Sequence, residues 1–152
     1  MPVLVRSHVR QVTIRHIAVQ RLIQDLLVLL CEFESEVSIK FVGDTRMRHL
    51  NRDYRGNDRT TDVLAFAFRE AVGPPSPMLG DVVVSIPMAR RQAESFGHSL
   101  SEELTRLLIH GVLHLVGYDH ERSEADARSM KKKEMVLWKR VSPIPKLVKG
   151  KF

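Results

Sequence analysis

Cysteine is nearly absent: the 152 residues contain one, Cys31, so no disulfide can form within the chain. Stability must then come from an apolar core rather than from cross-links, and the expected compartment is the reducing cytoplasm. Long hydrophobic runs are missing too. No stretch approaches the roughly 20 apolar residues that cross a bilayer, so no membrane helix is expected. Residues 1–10 lack the uninterrupted apolar segment of a secretory leader. Internal repeats and low-complexity blocks are absent, which excludes a solenoid or an array.

What is present is enough for one folded unit. Hydrophobic residues make up 43% of the chain, sufficient for a single continuous core at this length. We expect one domain over residues 1–142 and a loose basic tail over 143–152. The charge is one-sided, with 24 Lys and Arg against 18 Asp and Glu and a net of +6. Such a surplus attracts polyanions, either nucleic acid or an anionic membrane surface. It is also unevenly spread. Arg46, Arg48, Arg52, Arg55 and Arg59 crowd one segment, Lys131, Lys132 and Lys133 form a second cluster, and Lys146, Lys149 and Lys151 make the tail basic.

Periodicity predicts an α+β fold, a mixed sheet of about four strands covered by helices. Val3 and Val5 alternate with polar neighbours as a first strand. Thr13 is placed to cap a helix over 14–33, with Cys31 near its end as core filler. Residues 37–41 alternate as a half-buried strand. Asp44 can cap a short helix that carries the arginines, and 51–61 read as a loop. Residues 63–68 and 79–86 read as two strands, antiparallel neighbours around a proline-rich connection at 70–78. Ser85 starts a helix ended by Gly97. Ser99 with Glu102 makes a capping box for a helix ended by Gly117, and Ser123 caps a last one reaching about residue 140.

The strongest signal is H-G-V-L-H-L-V-G-Y-D-H at 110–120. His110 and His114 lie one helical turn apart on one face, and Gly117 permits the sharp turn that brings His120 back toward them. Three imidazoles suit zinc and leave its fourth position open, as in a catalytic site, where bound water would titrate at roughly pH 7. A structural zinc would need a fourth ligand, for which Asp119, Glu121 and His98 are the candidates. The ligand spacing is that of the metzincin proteases, but Gly111 stands where those enzymes carry their glutamate base. A peptidase is therefore disfavoured.

These residues, with N-R-D-Y-R-G at 51–56, T-D-V-L-A-F at 61–66 and L-G-D-V-V-V-S at 79–85, resemble the YbeY endoribonucleases, also called rRNA maturation factors. Ala65 stands where that family carries serine. The resemblance covers about residues 51–121. It implies a single-domain endoribonuclease, specific for single strands, acting in small-subunit rRNA 3′ maturation and ribosome quality control. It implies one zinc per chain on His110, His114 and His120, and a functional Arg55 near the metal, in what reads as a polar loop. A guanidinium there would bind the phosphoryl oxygens on which charge grows. The expected partners are ribosomal RNA and the ribosome or its proteins, with no membrane. Arg48, Arg52 and Arg59 are candidates for holding the RNA backbone. Asp62 and Asp81 are candidates for orienting ligand histidines, with capping as the alternative. Lys131–Lys133 read as a solvated helix face, and Met130 as core rather than a residue beneath the metal. A non-catalytic assembly factor with a structural zinc stays open as a rival.

Overall fold

Valine at every second position makes the first strand, β1 (Val3–Ser7), with Val3 and Val5 turned inward. The same logic builds β3 (Glu36–Val42) and β5 (Met78–Ser85). In this computed structural model, which describes residues 3–68 and 77–149, the main sheet has the order β1-β3-β5-β4, where β4 is Val63–Ala67. β1, β3 and β5 run parallel, and β4 closes one edge antiparallel to β5, with Ala65 opposite Val82. The two strands around the proline-rich connection are thus antiparallel, as expected; that connection itself falls largely outside the described residues.

Alternation assigns the two faces. Val37, Ile39 and Phe41 of β3 and Val82 and Val84 of β5 enter the main core, under α1 (His16–Leu29), α4 (Leu100–Leu115) and α5 (Glu124–Val141). Val42, Val83 and Leu64 point the other way and meet Met47 of α2 (Asp44–Arg55) in a smaller cluster. α3 (Ile86–Phe96) leads from β5 into α4, and the Ser85 hydroxyl caps it by accepting from the Met88 N–H at 3.2 Å. This is the α+β architecture the sequence predicts, and Met130 is buried core as expected.

Four local expectations are corrected. First, α1 starts at His16, because Thr13 and Ile14 form a short strand, β2, paired antiparallel with β6 (Val148–Lys149). Secondly, α1 ends at Leu29, and Cys31 is exposed at φ +59°, with its N–H on the Val28 carbonyl and the Glu32 N–H on that of Leu27. That pair of bonds is a Schellman ending, so Cys31 occupies the place usually held by glycine and fills no core. Thirdly, α2 continues to Arg55 and stops at Gly56 (φ +74°), because Asn51 is buried on the same inward face as Met47. Gly43 takes the N-cap position, and Asp44 sits in the first turn. Finally, residues 144–149 pack against the rest of the chain. Leu147 is fully buried, its carbonyl accepts from the Arg15 N–H at 2.8 Å, and its N–H donates to Ser101 Oγ at 2.9 Å.

Candidate metal centre

The histidines are presented by α4 and its exit turn. The helix begins with the complete reciprocal capping box of Ser99 and Glu102. Its apolar stripe, including Leu104, Leu108, Val112 and Leu115, is buried in the main core. Positions 106, 110 and 114 follow one another by single turns along the neighbouring face, which borders an open cleft of about 780 Å³. Gly111 lies against the sheet: a Cβ there would stand 2.6 Å from Val82 Cγ1 and 3.5 Å from Val63 Cγ2. The missing glutamate is therefore a packing requirement, since a side chain at 111 would be driven into β5 and not toward the histidines.

At the end of α4 the Gly117 N–H donates to the His114 carbonyl and the Tyr118 N–H to the Leu113 carbonyl, with Gly117 at φ +108°. This Schellman turn reverses the chain. The Asp119 carboxylate accepts the Glu121 N–H at 2.8 Å and Arg122 Nη2 donates to the Gly117 carbonyl at 2.8 Å, so the loop carrying His120 is tied at both ends. The three ring centroids lie 5.5, 5.2 and 5.6 Å apart. One potential ligand atom from each lies within 4.8 Å of the other two. Burial, reinforced by the neighbouring His110, holds the His114 imidazole below its usual pKa, while Asp119 opposes the shift. A neutral imidazole is the form with a lone pair to give.

The donor set fits zinc: three imidazoles converge on one point beside open solvent. Among the described residues no fourth His, Cys, Asp or Glu joins the group. His98 is engaged elsewhere, with Nε2 2.9 Å from Glu103 Oε1, and the Asp119 carboxylate takes a backbone N–H. The arrangement is that of an open site, not a closed structural one.

Arg55, at the end of α2 rather than in a loop, lines the same cleft. Its Nη2 donates to the Ala65 carbonyl at 2.8 Å and its guanidinium carbon lies 5.9 Å from the centre of the Phe66 ring. No carboxylate among the described residues pairs with it. The other arginines of that segment do not line the cleft. Arg48 is held by both oxygens of Asp58, at 2.8 and 3.1 Å, and Arg52 by Asp53 at 3.0 Å. Arg59 is exposed, and its carbonyl accepts from Asn51 Nδ2.

Neither carboxylate expected behind the histidines hydrogen-bonds a ligand ring among the described residues, although Asp62 lines the same cleft. Asp62 accepts the Val63 N–H at 2.7 Å and Gln92 Nε2 at 3.3 Å, which is the capping alternative. Asp81 shares the α2 side of β5 with Val83, the opposite side of the sheet from α4. Sequence reasoning missed the groups that do surround the site. Arg106, one turn before His110, lines the cleft and is bound by the buried Glu103, with Asp62 at 4.0 Å. Burial pushes the Glu103 carboxyl up, but hydrogen bonds from Arg106, Gln92 and His98 outweigh it and hold the group below the usual range. Glu134 of α5 places Oε2 3.5 Å from His110 Nδ1. The i, i+4, i+8 run of Arg106, His110 and His114 was legible, whereas the pairing of Glu134 with His110 needs the packing of α5 on α4.

Comparison with known proteins agrees with this geometry. The family model described as Endoribonuclease YbeY matches residues 5–142. Among curated relatives, the Endoribonuclease YbeY of a Sulfurihydrogenibium species is 50% identical over 95 residues, 62% of this chain and 62% of that protein. Those of Geobacillus thermodenitrificans and Halalkalibacterium halodurans are 47% and 42% identical over 111 and 118 residues, covering 68% and 71% of this chain and 71% and 74% of theirs. The solution structure of TM1509 from Thermotoga maritima superposes with a TM-score of 0.59 at 25% identity, covering 94% of this chain and 93% of that one. Since the family model runs from within β1 to the end of α5, and takes in the three histidines and Arg55, the chain belongs to the YbeY family.

Proposed function

We propose that this chain is a zinc-dependent endoribonuclease that cuts single-stranded RNA in the cytoplasm and acts in ribosomal RNA maturation at the small-subunit 3′ end and in ribosome quality control. The observation that carries the reading is the pairing of three convergent imidazoles with Arg55, a cation free of carboxylate partners among the described residues, in one cleft of a YbeY-family fold. His110, His114 and His120 would hold the metal, one per chain, which when bound supplies Lewis acidity and lowers the pKa of water toward about 7. Arg55 binds the phosphodiester and stabilises the negative charge that grows on its oxygens, because a guanidinium offers two parallel donors. The Ala65 carbonyl and the Phe66 ring hold that guanidinium in place. Arg48 and Arg52, already paired, contribute long-range attraction more than contacts, and Arg59 extends the basic approach.

The histidine spacing alone would also fit a peptidase, but the strand edge argues against it. Phe68 N–H on Leu79 and Ser85 N–H on Asp62 set the ladder register, so residues 63, 65 and 67 of β4 turn their backbone groups to the open edge. An extended peptide would pair there. The Val63 N–H is already taken by the Asp62 carboxylate and the Ala65 carbonyl by Arg55. The test is incubation with a single-stranded RNA bearing a small-subunit 3′ end, its duplex, and unfolded casein. Cleavage of the single strand only, stopped by chelation and restored by zinc, is the expected result. Casein proteolysis, or chelation that lowers the melting temperature without touching cleavage, would overturn it.

A further inference from the structure

A metal-ligating imidazole gives one nitrogen to the ion, and its other nitrogen then carries a proton that needs an acceptor. Where a carboxylate accepts that proton, the tautomer and the ring orientation are both fixed before the metal arrives. The sequence offers Asp62 and Asp81 for this task, and neither hydrogen-bonds a ligand ring among the described residues, although Asp62 lines the cleft. Asp62 is engaged by the Val63 N–H and Gln92, and Asp81 lies across the sheet. The carboxylate that does reach a ligand ring comes from a different element.

We infer that Glu134 is the positioning residue for His110, accepting the Nδ1 proton so that Nε2 is left with the lone pair that faces a metal. The inference rests on the zinc reading of the three-histidine site. Glu134 Oε2 stands 3.5 Å from His110 Nδ1, with both side chains only about a quarter exposed. The helix that carries it is firmly placed. Met130 and Leu137, at four before and three after Glu134, are both buried in the main core and share its face of α5. Position 134 is thereby pressed toward α4 at the turn that bears His110. Among the described residues His110 is the ligand histidine with a part-buried carboxylate within ion-pair distance: His120 has the exposed Glu121 at 3.9 Å, and no carboxylate hydrogen-bonds His114. Glu134 also faces Arg106, which Glu103 already holds, so the carboxylate stays available to the ring.

The test is competition for Zn²⁺ against a chromophoric chelator, using the full chain, with the melting temperature of the metal-free protein measured alongside. Glu134→Ala is expected to bind one equivalent of zinc about 10–100-fold more weakly than the parent. Glu134→Gln, whose amide oxygen still accepts a proton, should fall between the two. Glu124→Ala, on the exposed start of the same helix, should match the parent. The metal-free melting temperature should not change in any of them. Equal zinc affinity for Glu134→Ala and parent would overturn the inference while leaving the metal site intact. A loss of affinity matched by a loss of metal-free stability, with no recovery in Glu134→Gln, would reduce Glu134 to a packing residue and overturn it as well. A parent chain that binds no zinc would overturn the metal reading itself. Nitrogen-resolved NMR of the metal-free parent decides the point without a variant: the Nδ1-protonated tautomer of His110 is expected, and the Nε2-protonated one contradicts it.

Discussion

Arg55 and Gly111 show how much one residue can decide. Arg55 is the cation of the arginine-rich segment that lines the cleft, while Arg48 and Arg52 are neutralised by adjacent aspartates. If it stabilises charge in the transition state, Arg55→Ala should slow single-turnover RNA cleavage about 10²–10³-fold with zinc content unchanged. RNA affinity should fall far less, since many cations share ground-state binding. Arg55→Lys should not restore the rate, because an ammonium cannot donate two parallel bonds. A variant that cleaves as fast as the parent would return Arg55 to the surface. Gly111 is the converse case, a residue defined by what cannot be there. Gly111→Glu would complete the H-E-x-x-H motif, yet its Cβ would collide with Val82. We expect it to cost at least about 1–3 kcal/mol from overpacking, a fall of several degrees in Tm, and to confer no casein cleavage. An unchanged Tm, or proteolysis, would show that a side chain at 111 can turn away from Val82 and into the cleft.

Elements join through a few polar contacts whose pH dependence follows from their chemistry. Asp44 in the first turn of α2 reaches across to α3, where Arg91 donates at 2.9 and 3.1 Å, and also accepts from Thr60 and Ser85. The Arg91 hydrogen bond is the largest influence and, against some burial, holds the Asp44 carboxyl below its usual range. A carboxylate depressed in the folded state stabilises fully above its unfolded pKa of about 4, and that contribution disappears as pH falls through the lower folded value. Parent and Asp44→Asn should thus differ in denaturation midpoint at pH 7 and converge as pH drops well below 4; a gap independent of pH would mean the charge is immaterial. At this scale the sequence was most legible where capping chemistry is local. Ser85, Ser99 and Ser123 each start the helix they were expected to start. It was least legible where a distant segment decides. Thr13 resembles a helix cap until residues 148–149 arrive to pair with it, and Leu147 looks like tail until Arg15 and Ser101 bond its backbone. The site divided in the same way. Histidines four apart on one helix and a glycine turn are visible in the chain, whereas the face of β5 that carries Asp81 and the approach of Glu134 depend on packing between elements.

Taken whole, the molecule is a basic chain, net +6, with an open cleft in which three imidazoles and Arg55 meet. Among the described residues no helix is long and apolar enough to cross a membrane. RNA binding driven by such a surface should weaken steeply with salt, as displaced counterions are the main gain; a flat dependence between about 50 and 200 mM would point to another class of substrate. The central claim is that RNA cleavage happens at the three-histidine centre through one metal ion. It is tested most directly by removing metal from the purified chain and titrating Zn²⁺ back while following single-turnover cleavage of one single-stranded RNA. The account predicts no cleavage without metal, a rate that rises in proportion to bound zinc and levels at one equivalent, and no recovery in His114→Ala. Full cleavage by the metal-free chain, or by His114→Ala, would contradict it.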